Sequence, residues 1–121
     1  MDLAIELEKG IGEAKLRSSI SRAYYAAYCS ARNCMEDVCG RSLPFDEPSH
    51  QYVIEYYNGN KGVRTNPRRA KIAQNLIRMK VRRTMADYDK KIHTELALHG
   101  AAQFVISQSE EVIASIEQGG L

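Results

Sequence analysis

The sequence predicts an all-α protein, an up-and-down bundle of four to five helices. Apolar residues recur at steps of three and four along several long segments. The chain contains only 3 prolines, so these segments are free of strong helix breakers. No alternation of apolar and polar residues is long enough to indicate a sheet. With 121 residues, 44% of them hydrophobic, the chain suits a single domain, residues 1–121, whose core needs neither a disulfide nor a metal.

Glycines and capping residues divide the chain into the expected helices. Gly10 is expected to end a first short helix, and Ser49 or Asp46 to cap a second one. Asn66, followed by proline, is a strong helix start, and the sequence Ala-Asp-Tyr-Asp at 86–89 is expected to interrupt that helix. The expected helices cover about residues 2–9, 13–39, 50–57, 67–85 and 90–117.

The cysteines and the N-terminal residues indicate a cytoplasmic protein. Cys29, Cys34 and Cys39 are spaced by five, so neighbours do not share a helix face, and we expect free thiols in a reducing compartment. The acidic N-terminus lacks the apolar region of a secretory signal, and no apolar run approaches the length of a membrane span. Neither a zinc-binding histidine spacing nor a phosphate-binding glycine motif occurs, so no metal and no cofactor are expected.

The charge is distributed unevenly, although the net charge is only +2. Residues 61–83 contain nine basic side chains and no acidic one, so all 15 acidic residues lie elsewhere. On the helix predicted here, Arg68, Lys71, Arg78 and Arg82 lie on or near the side opposite to the apolar face. They form either a solvated face or a surface for an anionic partner: RNA, DNA, a nucleotide or an acidic protein. The predicted apolar face consists of Ile72, Ala73, Leu76, Ile77 and Met79.

Arg83 is unusual because it falls among the apolar positions of this helix. A buried guanidinium must be paired, so Arg83 either bridges to Asp87 one turn later or lines a functional cleft. Arg17, Tyr24 and Tyr28 lie along one edge of the apolar face of the long N-terminal helix. The two tyrosines either form the rim of the core, or stack on bases or face another subunit.

Two segments resemble the HEPN family. Residues 17–37, RSSISRAYYAAYCSARNCMED, are similar to the first long helix of HEPN domains. Residues 82–89, RRTMADYD, resemble the R-x-x-A-D-Y signature of one branch of that family. The order of the predicted helices also fits, and the resemblance covers about residues 10–117. The matching positions of the signature are Arg83, Ala86, Asp87 and Tyr88.

This resemblance implies a helical bundle, usually homodimeric, that acts on or binds RNA. Many HEPN proteins are metal-independent endoribonucleases of toxin–antitoxin, phage-defence or RNA-processing systems. Others bind RNA or nucleotides, or are non-catalytic partners of small nucleotidyltransferases. The ribonuclease members carry a histidine shortly after the arginine that Arg83 matches, and here Tyr88 stands in that region.

The replacement of histidine by tyrosine favours binding over cleavage. Cleavage without a metal needs a general base, and histidine titrates near neutrality whereas tyrosine titrates at about pH 10. We therefore expect a HEPN-like module that binds RNA or a nucleotide. Two alternatives stay open: an endoribonuclease in which Arg83, Asp87 and Tyr88 act in unusual roles, and a non-catalytic partner of a nucleotidyltransferase.

Overall fold

Four helices form the computed structural model, which describes residues 3–40, 42–43, 46–62, 64–88 and 95–121. Side chains are described from residue 12 onward, except those of residues 47, 88 and 95. No strand occurs in these ranges, so the all-α class is confirmed. The helices are α1 Leu3–Cys39, α2 Glu47–Tyr57, α3 Pro67–Tyr88 and α4 Glu95–Gln118.

The first helix is continuous over 37 residues, so the predicted break at Gly10 is wrong. A glycine inside a helix costs only about 1 kcal/mol relative to alanine, and no proline lies nearby to remove a hydrogen bond. The helix ends at Gly40 as predicted, because this residue adopts the left-handed conformation with φ +67°. Its backbone N–H donates to the carbonyl of Glu36 at 2.7 Å, which closes the last turn.

The second helix begins at Glu47, three residues earlier than expected, and Asp46 rather than Ser49 is its cap. Asp46 has extended backbone angles, and its carboxylate accepts a hydrogen bond from the Ser49 backbone N–H at 2.9 Å. This bond satisfies one of the N–H groups that the first turn of a helix leaves without a partner. The cap therefore fixes where the chain enters α2.

Stability should depend on the protonation of this cap. Hydrogen bonding to Ser49 holds the pKa of the Asp46 carboxyl below its usual value. When folding lowers the pKa of a carboxyl group, its ionised form stabilises the protein at pH values above the unfolded-state pKa. This stabilisation is lost as the pH falls through the folded-state pKa. Asp46→Asn keeps a capping oxygen but cannot titrate. We expect it to lower the melting temperature near neutral pH and to match the wild type at about pH 2.

The measurement is thermal unfolding followed by circular dichroism over that pH range. Asp37, an exposed carboxylate of α1, provides the matched control as Asp37→Asn. A difference between Asp46→Asn and wild type that stays constant with pH would contradict the proposed charge effect at the cap.

The third helix starts where the sequence indicates and runs further than expected. The Asn66 side chain accepts from the Arg69 backbone N–H at 2.9 Å, and Pro67 occupies the first helical position. The interruption predicted at Ala86 is wrong, because α3 continues to Tyr88. Ala86 is only 1% exposed, so the buried face of α3 extends through the residues that were expected to end it.

The fourth helix begins at Glu95 within the described residues, and the predicted start at Lys90 lies outside them. α4 ends before Gly119 and Gly120, as predicted, and both adopt positive φ angles. α4 buries Leu98, Ala102, Val105 and Val112, and Ile116 is partly buried.

The core lies between α1, α3 and α4, and α2 packs mainly on α3, which gives a helical bundle. From α1, Ile20, Ala27 and Ala31 are fully buried, and the small alanine side chains let the other helices approach closely. Near the end of α1 the burial stops, since Val38 is 67% exposed. Buried partners from the other helices are Val53, Leu76, Met79, Leu98 and Val105.

Candidate nucleic-acid interface

The basic segment contains arginines with structural duties as well as exposed ones. Arg68 donates from Nη1 to the Gly119 carbonyl and from Nη2 to the Ser115 carbonyl, each at 2.7 Å. The last carbonyls of a helix lack donors within that helix, and at the end of α4 Arg68 supplies the missing N–H donors. Arg68 is half-buried, not exposed as predicted, and it fastens the start of α3 to the end of α4.

Arg69 is a buried residue that no motif in the sequence marks as structural or functional. It is 4% exposed and donates from Nη2 to the Tyr56 carbonyl at 3.2 Å. Its guanidinium lies 4.5 Å from the centre of the Tyr56 ring and 5.6 Å from that of Tyr57. Its position could have indicated burial, because Arg69 lies four residues before the buried Ala73 and therefore on the same face of α3. Arg69 joins α2 to α3 and is not accessible to a ligand.

Two lysines of the segment are paired with acids from elsewhere in the chain. Lys71 Nζ lies 2.7 Å from a carboxylate oxygen of Glu111, and Lys61 Nζ lies 3.2 Å from one of Glu55. Both pairs are substantially exposed, so they add little stability. They nevertheless reduce the local positive charge that a run without acids implies.

Three arginines remain in the second half of α3, and we call Arg78, Arg82 and Arg83 the arginine cluster. Arg78 is exposed, and the Arg82 guanidinium lies 3.8 Å from the centre of the Phe104 ring. The Arg83 guanidinium lies 4.7 Å from the centre of the exposed Tyr25 ring. Within the described part of the chain, no carboxylate forms an ion pair with these arginines.

The predicted bridge between Arg83 and Asp87 is absent from the structure, although both side chains are described. Asp87 is exposed, and Arg83 instead packs on the tyrosines of α1, 4.7 Å from Tyr25 and 5.4 Å from Tyr24. Its Nε atom is buried and has no hydrogen-bond partner among the described residues. A guanidinium that aromatic rings orient, and that no carboxylate in the described part of the chain neutralises, is suited to bind an anion.

The predicted tyrosines lie in the core beneath this arginine. Tyr24 is fully buried and its hydroxyl lies 2.9 Å from His50 Nδ1, while Tyr28 is 1% exposed and stacks on His50 with ring centres 3.9 Å apart. Burial raises the pKa of Tyr28. Neither ring is open to a base or to another subunit in this conformation. Tyr25, 37% exposed, is the tyrosine of this group that a ligand can reach.

His50 joins this group only through the tertiary structure. It lies on α2, it is 3% exposed, and its ring contacts tyrosines 22 to 26 residues earlier in the sequence. Nothing in the local sequence indicates that α2 would place an imidazole beside the Tyr-Tyr-Ala-Ala segment. Its burial prevents the ring from acting directly on a bound substrate in this conformation.

The remaining candidates lie at the end of α3. Arg17 donates from Nε to the Ala86 carbonyl at 3.2 Å and also pairs with Glu13 at 3.5 Å. Arg17 thus connects α1 to the residues that resemble the R-x-x-A-D-Y signature. Tyr88 is the last residue of α3, and its side chain lies outside the described residues.

The described residues contain no group of three or more His, Cys, Asp or Glu side chains that could hold a metal ion. None of the described helices combines the length and the apolarity needed to span a membrane. Comparison of the chain with protein families, curated proteins and solved structures finds no match in any of the three. The chemistry of the site therefore rests on its own geometry: three arginines that pair with no carboxylate of the described ranges, beside an exposed tyrosine.

Proposed function

We propose that this chain is a HEPN-like domain that binds single-stranded RNA or a nucleotide through the arginine cluster. The observation that carries the proposal is that Arg78, Arg82 and Arg83 have no carboxylate partner among the described residues, whereas Arg68 and Arg69 serve the fold. Phosphates supply the anionic oxygens that guanidinium groups bind most strongly.

Arg83 and Tyr25 together suggest how a nucleotide is held. The Arg83 guanidinium rests on the Tyr25 ring, which limits its rotation, and its buried Nε has no acceptor among the described residues. Arg83 is half-buried, so a phosphate oxygen would bind the part of this guanidinium that stays open to solvent. The exposed part of the Tyr25 ring offers a surface for a splayed base, as is usual in recognition of single-stranded RNA.

Binding fits the site better than cleavage does. Metal-independent cleavage needs a general base at the 2′-hydroxyl, and the His50 imidazole is buried behind the tyrosines. The second candidate function is a metal-independent endoribonuclease toxin, and the observation that favours it is the exposed carboxylate of Asp87. In that case Asp87 would accept the proton while Arg83 binds the phosphate.

The resemblance also supports a homodimer in the cytoplasm, which we include in the proposal. Tyr24 and Tyr28 are buried within one chain, so two copies must meet through other surfaces. Light scattering is expected to give twice the mass of a single chain.

The test of the proposed function is the binding of a short fluorescent single-stranded RNA, followed by anisotropy at increasing salt. Three arginine–phosphate contacts on a single strand predict a slope of about −2 in log affinity against log salt. The same mixtures, incubated with EDTA, are examined on a denaturing gel, where intact RNA is expected. Cleavage in EDTA would favour the endoribonuclease, and absence of binding at low salt would refute the proposal.

A further inference from the structure

The second half of α3 exposes three aliphatic side chains in one row. Ile77 is 41% exposed, Val81 47% and Met85 37%, and they follow one another at intervals of four residues. We call these three residues the aliphatic ridge. The sequence predicted that Ile77 belongs to the buried face, which is wrong, because Leu76 and Met79 face the core while Ile77 faces outward.

The aliphatic ridge borders a groove between α2 and α3 with a volume of about 310 Å³. Gln51 and Ile54 of α2 form the other wall, and Lys80 and Thr84 of α3 also line it. Rows of residues at intervals of four are the ridges through which helices pack, and a groove beside such a row accepts a row from the partner. The shape of this surface therefore fits a helix.

The composition of the ridge fits a protein rather than RNA. Bases gain affinity by stacking on aromatic rings, and the ridge has none. Aliphatic side chains contribute favourable binding free energy only when an apolar surface removes them from water, at roughly 25 cal/mol per Å² buried. A helix that presents its own aliphatic row to the groove would cover Ile77, Val81 and Met85 in this way.

The charge around the groove specifies the character of that helix. Arg78 lies seven residues before Met85 and so on the same side of α3, and no acidic side chain lines the groove. Pairing of α3 with α3 of a second copy would place two sets of Arg78 and Arg82 in one interface, where like charges oppose association. A helix that carries carboxylates beside its apolar row has the complementary charge.

We propose that the groove between α2 and α3 binds an acidic amphipathic helix of a partner protein. Aliphatic residues of that helix pack on the ridge and against Ile54, and its carboxylates pair with Arg78. This assigns the chain a protein-docking surface beyond the proposed binding of RNA, and the two functions share only Arg78.

The test uses a fluorescent synthetic helical peptide with leucines at i, i+4 and i+8 and glutamates on both flanks. The full chain is titrated into this peptide, into a scrambled peptide of the same composition, and into a version with lysines in place of the glutamates. We expect a dissociation constant on the order of 10 μM for the acidic helix and binding at least about tenfold weaker for both controls.

Two matched pairs of variants locate the binding. Ile77 and Ile106 are the same residue type with 41% and 40% exposure, and Ile106 lies on α4 away from the groove. Ile77→Ser is expected to weaken the binding of the acidic peptide about tenfold, and Ile106→Ser is expected to leave this affinity unchanged. Arg78→Glu should lower the affinity for the acidic peptide and raise the affinity for the lysine version. Arg22→Glu, at an exposed position of α1, should change neither affinity. All four sites are on the surface, and thermal melts confirm that each variant folds.

Three results would overturn the proposal. Equal binding of the acidic peptide to Ile77→Ser and wild type would show that the ridge takes no part. A loss of RNA affinity in Ile77→Ser without any peptide binding would assign the ridge to RNA. A fall from dimer to monomer mass in Ile77→Ser would make a second copy the occupant. RNA binding by the wild type is measured separately, so its failure leaves this test intact.

Discussion

Replacement of Arg78, Arg82 and Arg83 together by glutamine is expected to weaken RNA binding at least about 100-fold, since each charge-assisted contact contributes roughly 1.5 kcal/mol or more. The fold should survive, because Arg78 is exposed and the other two are held mainly by aromatic contacts. Such contacts contribute about 1 kcal/mol each at partly exposed sites. The salt dependence of the residual binding should become flat, because few counterions are then released.

The matched control for this variant is Arg68→Gln, an arginine of the same helix. It removes two hydrogen bonds to the carbonyls of Ser115 and Gly119, and we expect a loss of about 2 kcal/mol in the free energy of unfolding. RNA affinity per folded molecule should not change. Urea unfolding and anisotropy on both proteins separate the two effects. Equal loss of affinity in the two variants would show that the whole basic segment, and not the arginine cluster, binds RNA.

Arg69→Ala is expected to destabilise the protein more than any other single charge deletion in α3, by about 3 kcal/mol. The substitution removes one of the two donors to the Tyr56 carbonyl, which also accepts from the Gly59 backbone N–H, and it removes a guanidinium that packs on two rings. It also opens a cavity between α2 and α3, because the site is 4% exposed and cannot fill with neighbouring side chains at no cost.

Arg69→Met distinguishes loss of volume from loss of charge. Methionine fills most of the space and carries no charge to desolvate, so we expect its cost to be about 1 kcal/mol. Arg64→Ala, at an exposed position before α3, should be neutral. Urea unfolding of the three variants is the measurement. An Arg69→Ala protein as stable as wild type would mean that the desolvation of this arginine cancels all of its contacts.

Local chemistry determines most of the fold, and for that reason the sequence predicts it well. Asp46, Asn66 and Gly40 act on backbone groups within a few residues of themselves, so their patterns are readable. The two errors in helix continuity, at Gly10 and at Ala86, concern residues that a helix tolerates and that do not by themselves end one. Helix continuity at such positions depends on neighbouring helices, which no local pattern records.

The site is less predictable, because a helical wheel places side chains around one axis and does not show what lies opposite each of them. Arg68 and Arg78 occupy the same predicted face, yet only Arg68 meets the end of α4, about 50 residues later in the chain. Arg83 was predicted among the apolar positions and is half-buried, but its partners are tyrosines of α1 and not the neighbouring Asp87. His50 enters the group only because α2 packs beside α1.

Two arginines hold α3 at opposite ends: Arg68 binds the end of α4, and Arg17 of α1 binds the Ala86 carbonyl. A helix fastened at both ends by residues distant in sequence cannot rotate or detach alone. Its backbone amides should therefore exchange with solvent only through global opening of the bundle. The proposed ligand would then meet a surface whose geometry exists before contact, so little of the binding free energy would be lost to ordering the protein. Such preorganisation favours an encounter limited by diffusion and charge rather than by a conformational step.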